Sequence, residues 1–234
     1  MIVEIVKKEI AKHDKRKNRL NCQRFFKEKL ADPIVLKTEI LRKISNELFE
    51  QIKDQPKQQI FDHCEQLLAS GMKYGTFFAF EWAGKIDRHY TKTDFTRFAG
   101  WLEKYVYNWG ACDHLCCGPL GHLLLRFPEL SAKTIKWAKS KNLWQRRAAA
   151  VCLIVPIRRR LLLDEVFGTA DLLLTDREDL VQKGYGWMLK VAGKQFPEEV
   201  FAYVMRHKRD MPRTAFRYAI EKLPPDKRKT AMIK

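Results

Sequence analysis

Apolar residues recur at three- and four-residue spacing along most of the chain, which is the period of a helix with one buried face. "QRFFKEKLAD", "EILRKISNELFEQIK", "QQIFDHCEQLLAS", "TDFTRFAGWLEKYV", "LGHLLLRFPEL", "SAKTIKWAKS", "LWQRRAAAVCLIV", "REDLVQKGYGWMLKVAGKQF" and "PEEVFAYVMRH" all carry it. Alternating runs joined by Asn-Gly or Asp-Gly turns, the signature of strands in hairpins, are absent. Breaks fall at Asp32-Pro33, Gln55-Pro56, Ser70-Gly71, Gly118-Pro119, Phe127-Pro128, Pro156, Phe196-Pro197, Pro212 and Pro224-Pro225. Proline lacks the amide a helix interior needs, so each proline marks a helix start or stop. Short helices with tight breaks predict helix pairs stacked side by side. Their irregular spacing, roughly 35 to 40 residues, matches degenerate HEAT-like repeats. The expected fold is all-α: an α-solenoid of HEAT-like repeats, with residues 1–234 as one domain. "RRRLLLDEV" reads either as the entry to another helix or as a small insertion.

Charge adds a partner to this picture. The chain has 234 residues and a formal net charge of +17. From Leu130 to Leu163 there is no Asp or Glu, while Lys133, Lys136, Lys139, Lys141, Arg146, Arg147, Arg158, Arg159 and Arg160 supply nine positive charges. Both ends of the chain are also rich in basic residues. The expected solenoid therefore has a basic concave face suited to a polyanion, nucleic acid before an anionic membrane surface. No apolar run approaches the roughly 18 residues of a membrane span, and the early charges of "MIVEIVKKEIAKHDKR" argue against a secretory signal. The expected location is cytoplasmic, in a bacterial cytosol or nucleoid, with reduced thiols and a monomeric chain.

"NWGACDHLCCGPLGH", residues 108–122, concentrates three cysteines, two histidines, an aspartate and a tryptophan. Structural zinc takes four ligands, commonly as two close pairs. Cys112 and Cys116 could face one way on a helix, but Cys117 turns about 100° away and no Cys-x-x-Cys occurs in the chain. Neither a metal nor a redox pair is expected. No P-loop, dinucleotide-binding glycine motif or zinc-protease histidine pair is present either, so no cofactor is expected. Trp109 and Asp113, four apart, share a helix face. A ring face beside a carboxylate suits a cation or a developing positive charge; a core tryptophan with a capping aspartate is the other reading. "SKNLWQRRAA" places Trp144 and Arg147 three apart. "VQKGYGWMLK" places Trp187 beside two glycines that let another backbone come close.

Taken in order, "WGACD" (Trp109 to Asp113), "NLWQRRAA" (with Arg147) and "VQKGYGWMLK" (with Trp187) resemble the HEAT-like-repeat DNA alkylation-repair glycosylases, the AlkD-like family. "LKTEILRKI" looks like that family's N-terminal DNA-contacting segment, and the resemblance spans residues 20–220. It implies hydrolysis of the N-glycosidic bond of cationic 3- or 7-alkylated purines by a monofunctional enzyme that uses no metal. Asp113 matches the catalytic carboxylate, and Trp109 and Trp187 match the aromatic walls of the cleft. Arg147 matches the basic residue at the DNA backbone, with Arg146, Lys141, Lys37, Thr38, Arg42, Lys43 and Lys183 as further DNA contacts. Phe25 falls where the family has a cleft tyrosine, and Asn108 where catalytic members often carry a second tryptophan. Relatives without glycosylase activity bind branched DNA, which is the alternative the resemblance carries.

Overall fold

The helical period is realised as helix almost wherever it occurs. The computed structural model describes residues 1–27, 29 and 32–233. Its contacts group into two compact units, Met1–Lys85 and Ile86–Lys234.

The first unit contains α1 (Ile2–His13), α2 (Thr38–Phe49), α3 (Lys57–Ala69) and α4 (Gly75–Gly84). α1 packs on α2 and α3, and α3 lies along α4. Ile44, Phe61, Cys64, Leu67, Phe78, Phe80 and Trp82 are buried between them. The Trp82 indole would waste a donor there, and it donates to the Ser45 carbonyl at 3.2 Å. α4, "GTFFAFEWAG", has no polar face to give it a period, because Phe78, Ala79, Phe80, Trp82 and Ala83 are all buried.

A helix expected over residues 23–32 does not form as predicted. Gln23–Phe25 makes a single 3₁₀ turn and Phe26 is extended; Glu28, Leu30 and Ala31 lie outside the described residues. Two short strands flank this segment, β1 (Arg19–Asn21) and β2 (Ile34–Leu36), paired antiparallel with Leu20 opposite Val35. The Cys22 amide donates to the Pro33 carbonyl, and the Leu36 amide to the Tyr74 hydroxyl at 2.9 Å. These long-range bonds satisfy backbone groups that a helix would have satisfied locally, so the ladder displaces the helix.

The second unit holds the remaining helices. α5 (Asp94–Tyr105), α6 (Trp109–Cys117) and α7 (Pro119–Arg126) are followed by α8 (Ser131–Thr134), which runs on as a 3₁₀ turn to Lys139. α9 (Leu143–Val151), α10 (Ile154–Arg158), α11 (Leu163–Leu173) and α12 (Asp179–Gln195) come next, then α13 (Pro197–His207), α14 (Arg213–Ile220) and α15 (Pro225–Met232). "RRRLLLDEV" is indeed the entry to a helix, α11. Packing repeats along this unit: α6 meets α9, α7 meets α10, and α9 meets α12. This staggered neighbour pattern is what an all-α helical-repeat chain produces. Leu115, Leu120, Leu123, Ala148, Ala149, Ile154, Met188 and Leu189 fill the layer between these helices. No helix among the described residues is long and apolar enough to cross a membrane.

Candidate active site

Three helices of the second unit, α6, α9 and α12, build the site. α6 starts where it does because Asn108 is extended and its side-chain Oδ1 accepts from the Ala111 amide at 2.9 Å. That is an N-cap, satisfying one of the orphan amides of the first turn. Trp109 is thereby the first residue of α6, and Asp113 sits one turn later on the same side. α9 is started the same way, with Asn142 Oδ1 accepting from the Trp144 amide at 2.8 Å. The Ser140 hydroxyl accepts from the Asn142 amide at 3.0 Å and donates to Gln145 Oε1 at 2.6 Å.

From this start α9 aims Arg147 at α6. Arg147 Nε donates to Asp113 Oδ1 and Nη2 to Asp113 Oδ2, both at 2.8 Å. The third nitrogen, Nη1, donates to the carbonyl of Leu180 at the head of α12. Planar guanidinium and planar carboxylate thus meet as a fork on a fork, the strongest form of this pair. The Arg147 side chain is 6% exposed and that of Asp113 19%. Burial alone would lower the Arg147 pKa, but the hydrogen bond and charge of Asp113 outweigh it and raise the pKa above its ordinary value. Gly184 of α12 makes room, since a Cβ there would lie 3.2 Å from Arg147 Cγ. Trp187 follows three residues later on the same helix; both it and Trp109 are half-buried.

Arg146 is tied down beside it. Its Nε donates to Asp176 Oδ2 at 2.6 Å, and its Nη1 to the carbonyls of Ser140 and Lys141 at 3.0 and 3.1 Å. Two adjacent arginines expected at DNA phosphates are therefore both engaged inside the protein, stitching α9 to α6 and to the approach to α12. Lys141 is exposed, and Lys183 is shared with Asp179 at 2.8 Å on α12. Lys37, Thr38, Arg42, Lys43 and Phe25 belong to the first unit. Arg42 and Lys43 are exposed on α2, at 3.5 Å from Glu81 and 3.9 Å from Glu47. Lys37 immediately precedes α2, and its amide donates to the Asn18 carbonyl. Phe25 is 48% exposed, with the Arg24 guanidinium 4.7 Å from its ring centre. Sequence reasoning passed over Asp176, whose carboxylate fixes Arg146. It also passed over Tyr107, two residues before Trp109 and 66% exposed. Nothing in the sequence marked either; Asp164, Glu165 and Asp171 stand between the acid-free run and Asp176.

The three cysteines of residues 108–122, together with Cys152, lie near this pair. Cys112, Cys116, Cys117 and Cys152 carry free thiols. Burial pushes the Cys116 and Cys152 thiols up, and burial together with the Asp113 carboxylate pushes Cys117 up to about 12. Cys116, Cys117 and Cys152 are thus protonated at neutral pH and act as small apolar residues rather than nucleophiles. Among the described residues, Glu9, His13 and Glu47 of the first unit place three potential ligand atoms within 4.8 Å of one another. Their carboxylates are also near lysines, Glu9 with Lys12 at 2.6 Å and Glu47 with Lys43 at 3.9 Å.

Comparison with known proteins follows the same lines. The sequence profile of the family described as DNA alkylation repair enzyme matches residues 6–223. A solved structure from Enterococcus faecalis, described as a predicted DNA alkylation repair enzyme, superposes with a TM-score of 0.72 at 16% identity. That likeness covers 81% of this chain and 87% of the other, and it shows a shared fold. No curated protein sequence matches the chain.

Proposed function

The chain belongs to the DNA alkylation repair enzyme family, and from that premise we propose that it is a monofunctional glycosylase releasing cationic 3- or 7-alkylated purines from double-stranded DNA. The observation that carries this reading is the Arg147–Asp113 fork, made where α9 packs on α6 and α12, the helices that carry the half-buried Trp109 and Trp187. In the reaction the C1′–N bond breaks and its electron pair leaves with the base, cancelling the positive charge. The sugar is left oxocarbenium-like, water adds to C1′, and a proton is released.

Asp113 supplies the fixed negative charge for that cation. Each of its oxygens accepts one bond from Arg147, and a carboxylate has about four acceptor sites, so capacity remains to orient water. Asp113 is also the more exposed member of the pair, so solvent reaches the carboxylate more than the guanidinium. Preorganised charge of this kind costs no reorganisation during reaction. Trp109 and Trp187 offer ring faces to the cationic base. A cation–π contact contributes about 0.5–1 kcal/mol when exposed and about 2 when desolvated, too little to carry the chemistry alone. In this reading Arg147 positions Asp113, and the phosphate contacts fall to exposed cations such as Lys141.

A second reading keeps DNA binding and drops the chemistry. It is favoured by Asn108, whose side chain is spent on the helix cap, and by Phe25, which has no hydroxyl. The deciding experiment compares wild type with Asp113→Asn for release of methylated purine from N-methylpurine DNA, with duplex and four-way-junction binding measured on the same samples. Loss of release in the variant, on the order of 10²-fold or more, with binding retained, supports the glycosylase. Release by neither protein, with both preferring the junction, leaves a protein that recognises DNA shape.

A further inference from the structure

The C-terminal helix pair carries an open groove of about 350 Å³ between α14 and α15, away from the Asp113–Arg147 contact in sequence and in helix. It is lined by the apolar residues Ile220, Pro225 and Met232 and by the cations Arg217, Arg228 and Lys229. Among the described residues these three cations have no carboxylate partner. Of the nearby acids, Glu221, also in the lining, pairs with Lys190 at 2.9 Å and Lys222 at 3.5 Å, and Glu198 pairs with Lys227 at 2.7 Å, while Asp226 lies in the first turn of α15. The lining carries three positive charges against the one negative charge of Glu221, so the groove is net positive. A smaller groove of about 200 Å³ shares Met232 and extends the surface past Arg213 and Lys208. Arg213 and Arg217, four apart on α14, stand about 6 Å apart along one helix face.

The groove is linked to the candidate cleft through α12. Lys190, which bonds Glu221 in the groove lining, lies three residues after Trp187, about one turn along the helix. We propose that this groove is a second nucleic-acid contact, in which Arg217, Arg228 and Lys229 hold the phosphodiester backbone of duplex flanking the segment bound at Trp109 and Trp187. Guanidinium forks fit phosphate oxygens in pairs, and the apolar lining residues accept the sugar between them. The inference rests on the reading of the chain as a DNA-binding protein, and not on its glycosylase chemistry.

The test uses undamaged duplex DNA and the full chain, so base release does not enter. Affinity is measured by fluorescence anisotropy over a range of salt for a short duplex and for one longer by a helical turn, about 10 base pairs. Wild type is compared with the triple variant R217Q/R228Q/K229Q and with the charge-conserving R217K/R228K. On the longer duplex the triple variant should bind about tenfold more weakly, and its log–log salt slope should fall by about two to three, since each phosphate contact contributes about 0.9. The short duplex should be bound nearly as by wild type, and R217K/R228K should keep the wild-type slope. Unchanged affinity and slope on the longer duplex overturn the proposal. So does an equal loss on both duplexes, which would place these cations at the cleft itself. Wild type that binds neither duplex removes the DNA-binding reading and this one with it, whereas wild type that binds DNA but releases no base leaves this one standing.

Discussion

Arg147 holds Asp113 by two N–H···O bonds of 2.8 Å each, and the same guanidinium reaches the Leu180 carbonyl. One side chain thus joins three helices, and no other residue type presents five donors in a fixed plane. Lysine is a point charge and cannot reproduce the fork. Arg147→Lys is therefore expected to keep the charge, lose the orientation of Asp113 and reduce base release by on the order of 10²-fold, as misplacement by about an ångström does. It should also lower the melting temperature, since a donor to Leu180 or to Asp113 is lost in a largely buried setting. Single-turnover release and a thermal melt on the same sample check this; release at the wild-type rate would assign Arg147 a purely structural role. At this scale the sequence revealed Asp113 and Trp109 together, because four residues on a helix is a fixed distance. It did not reveal the Asp113–Arg147 bond, which spans 34 positions.

At the scale of the element, two glycines in helices separate helix propensity from packing. A Cβ on Gly100 in α5 would meet nothing within 4 Å. Gly100→Ala should stabilise the protein by about 0.5–1 kcal/mol, the ordinary advantage of alanine in a helix. A Cβ on Gly186 in α12 would lie 2.8 Å from Tyr218 Cβ and 2.9 Å from the Ala215 carbonyl oxygen of α14. Backbone cannot move aside, so Gly186→Ala should destabilise by about 1–3 kcal/mol despite the same propensity gain. Denaturant melts of the two variants should move the midpoint in opposite directions, and a shift of both to higher denaturant would mean that α14 does not pack on α12 as described. The two glycines beside Trp187 read in the sequence as a close backbone approach; Gly186 does meet the backbone of α14, whereas Gly184 meets the side chains of Arg147 and Val151 on α9, and neither neighbour was legible. The same limit explains the segment after β1. Its helical period was real, but pairing with β2, set by contacts distant in sequence, outweighed it.

For the whole molecule, the excess of 45 basic over 28 acidic residues sets the expected response to salt. If the chain neutralises six to ten phosphates, affinity for duplex should drop by about 10³–10⁵ between low and moderately raised salt, with little dependence on sequence. A titration of random-sequence duplex over salt checks it. A flat salt response would point to an uncharged recognition mode and argue against the phosphate contacts assigned to the exposed lysines and arginines. The expectation counts exposed cations only, because Arg146 and Arg147, which look like the centre of the basic run in the sequence, are spent on Asp176 and Asp113.

The sequence by itself determined the all-α class, most helix boundaries, the cationic surface and the sharing of a helix face by Trp109 and Asp113. Each of these depends on residues a few positions apart, through the helical period, the missing amide of proline or the sum of charges. Tertiary structure alone decided that Arg147 grips Asp113, that Arg146 is held by Asp176, that α14 closes on Gly186 and that Gln23–Phe25 is a single 3₁₀ turn beside a paired β1 and β2. Those outcomes depend on which distant segments pack together, and packing is settled by side-chain shape and polar satisfaction across the folded chain rather than by local period.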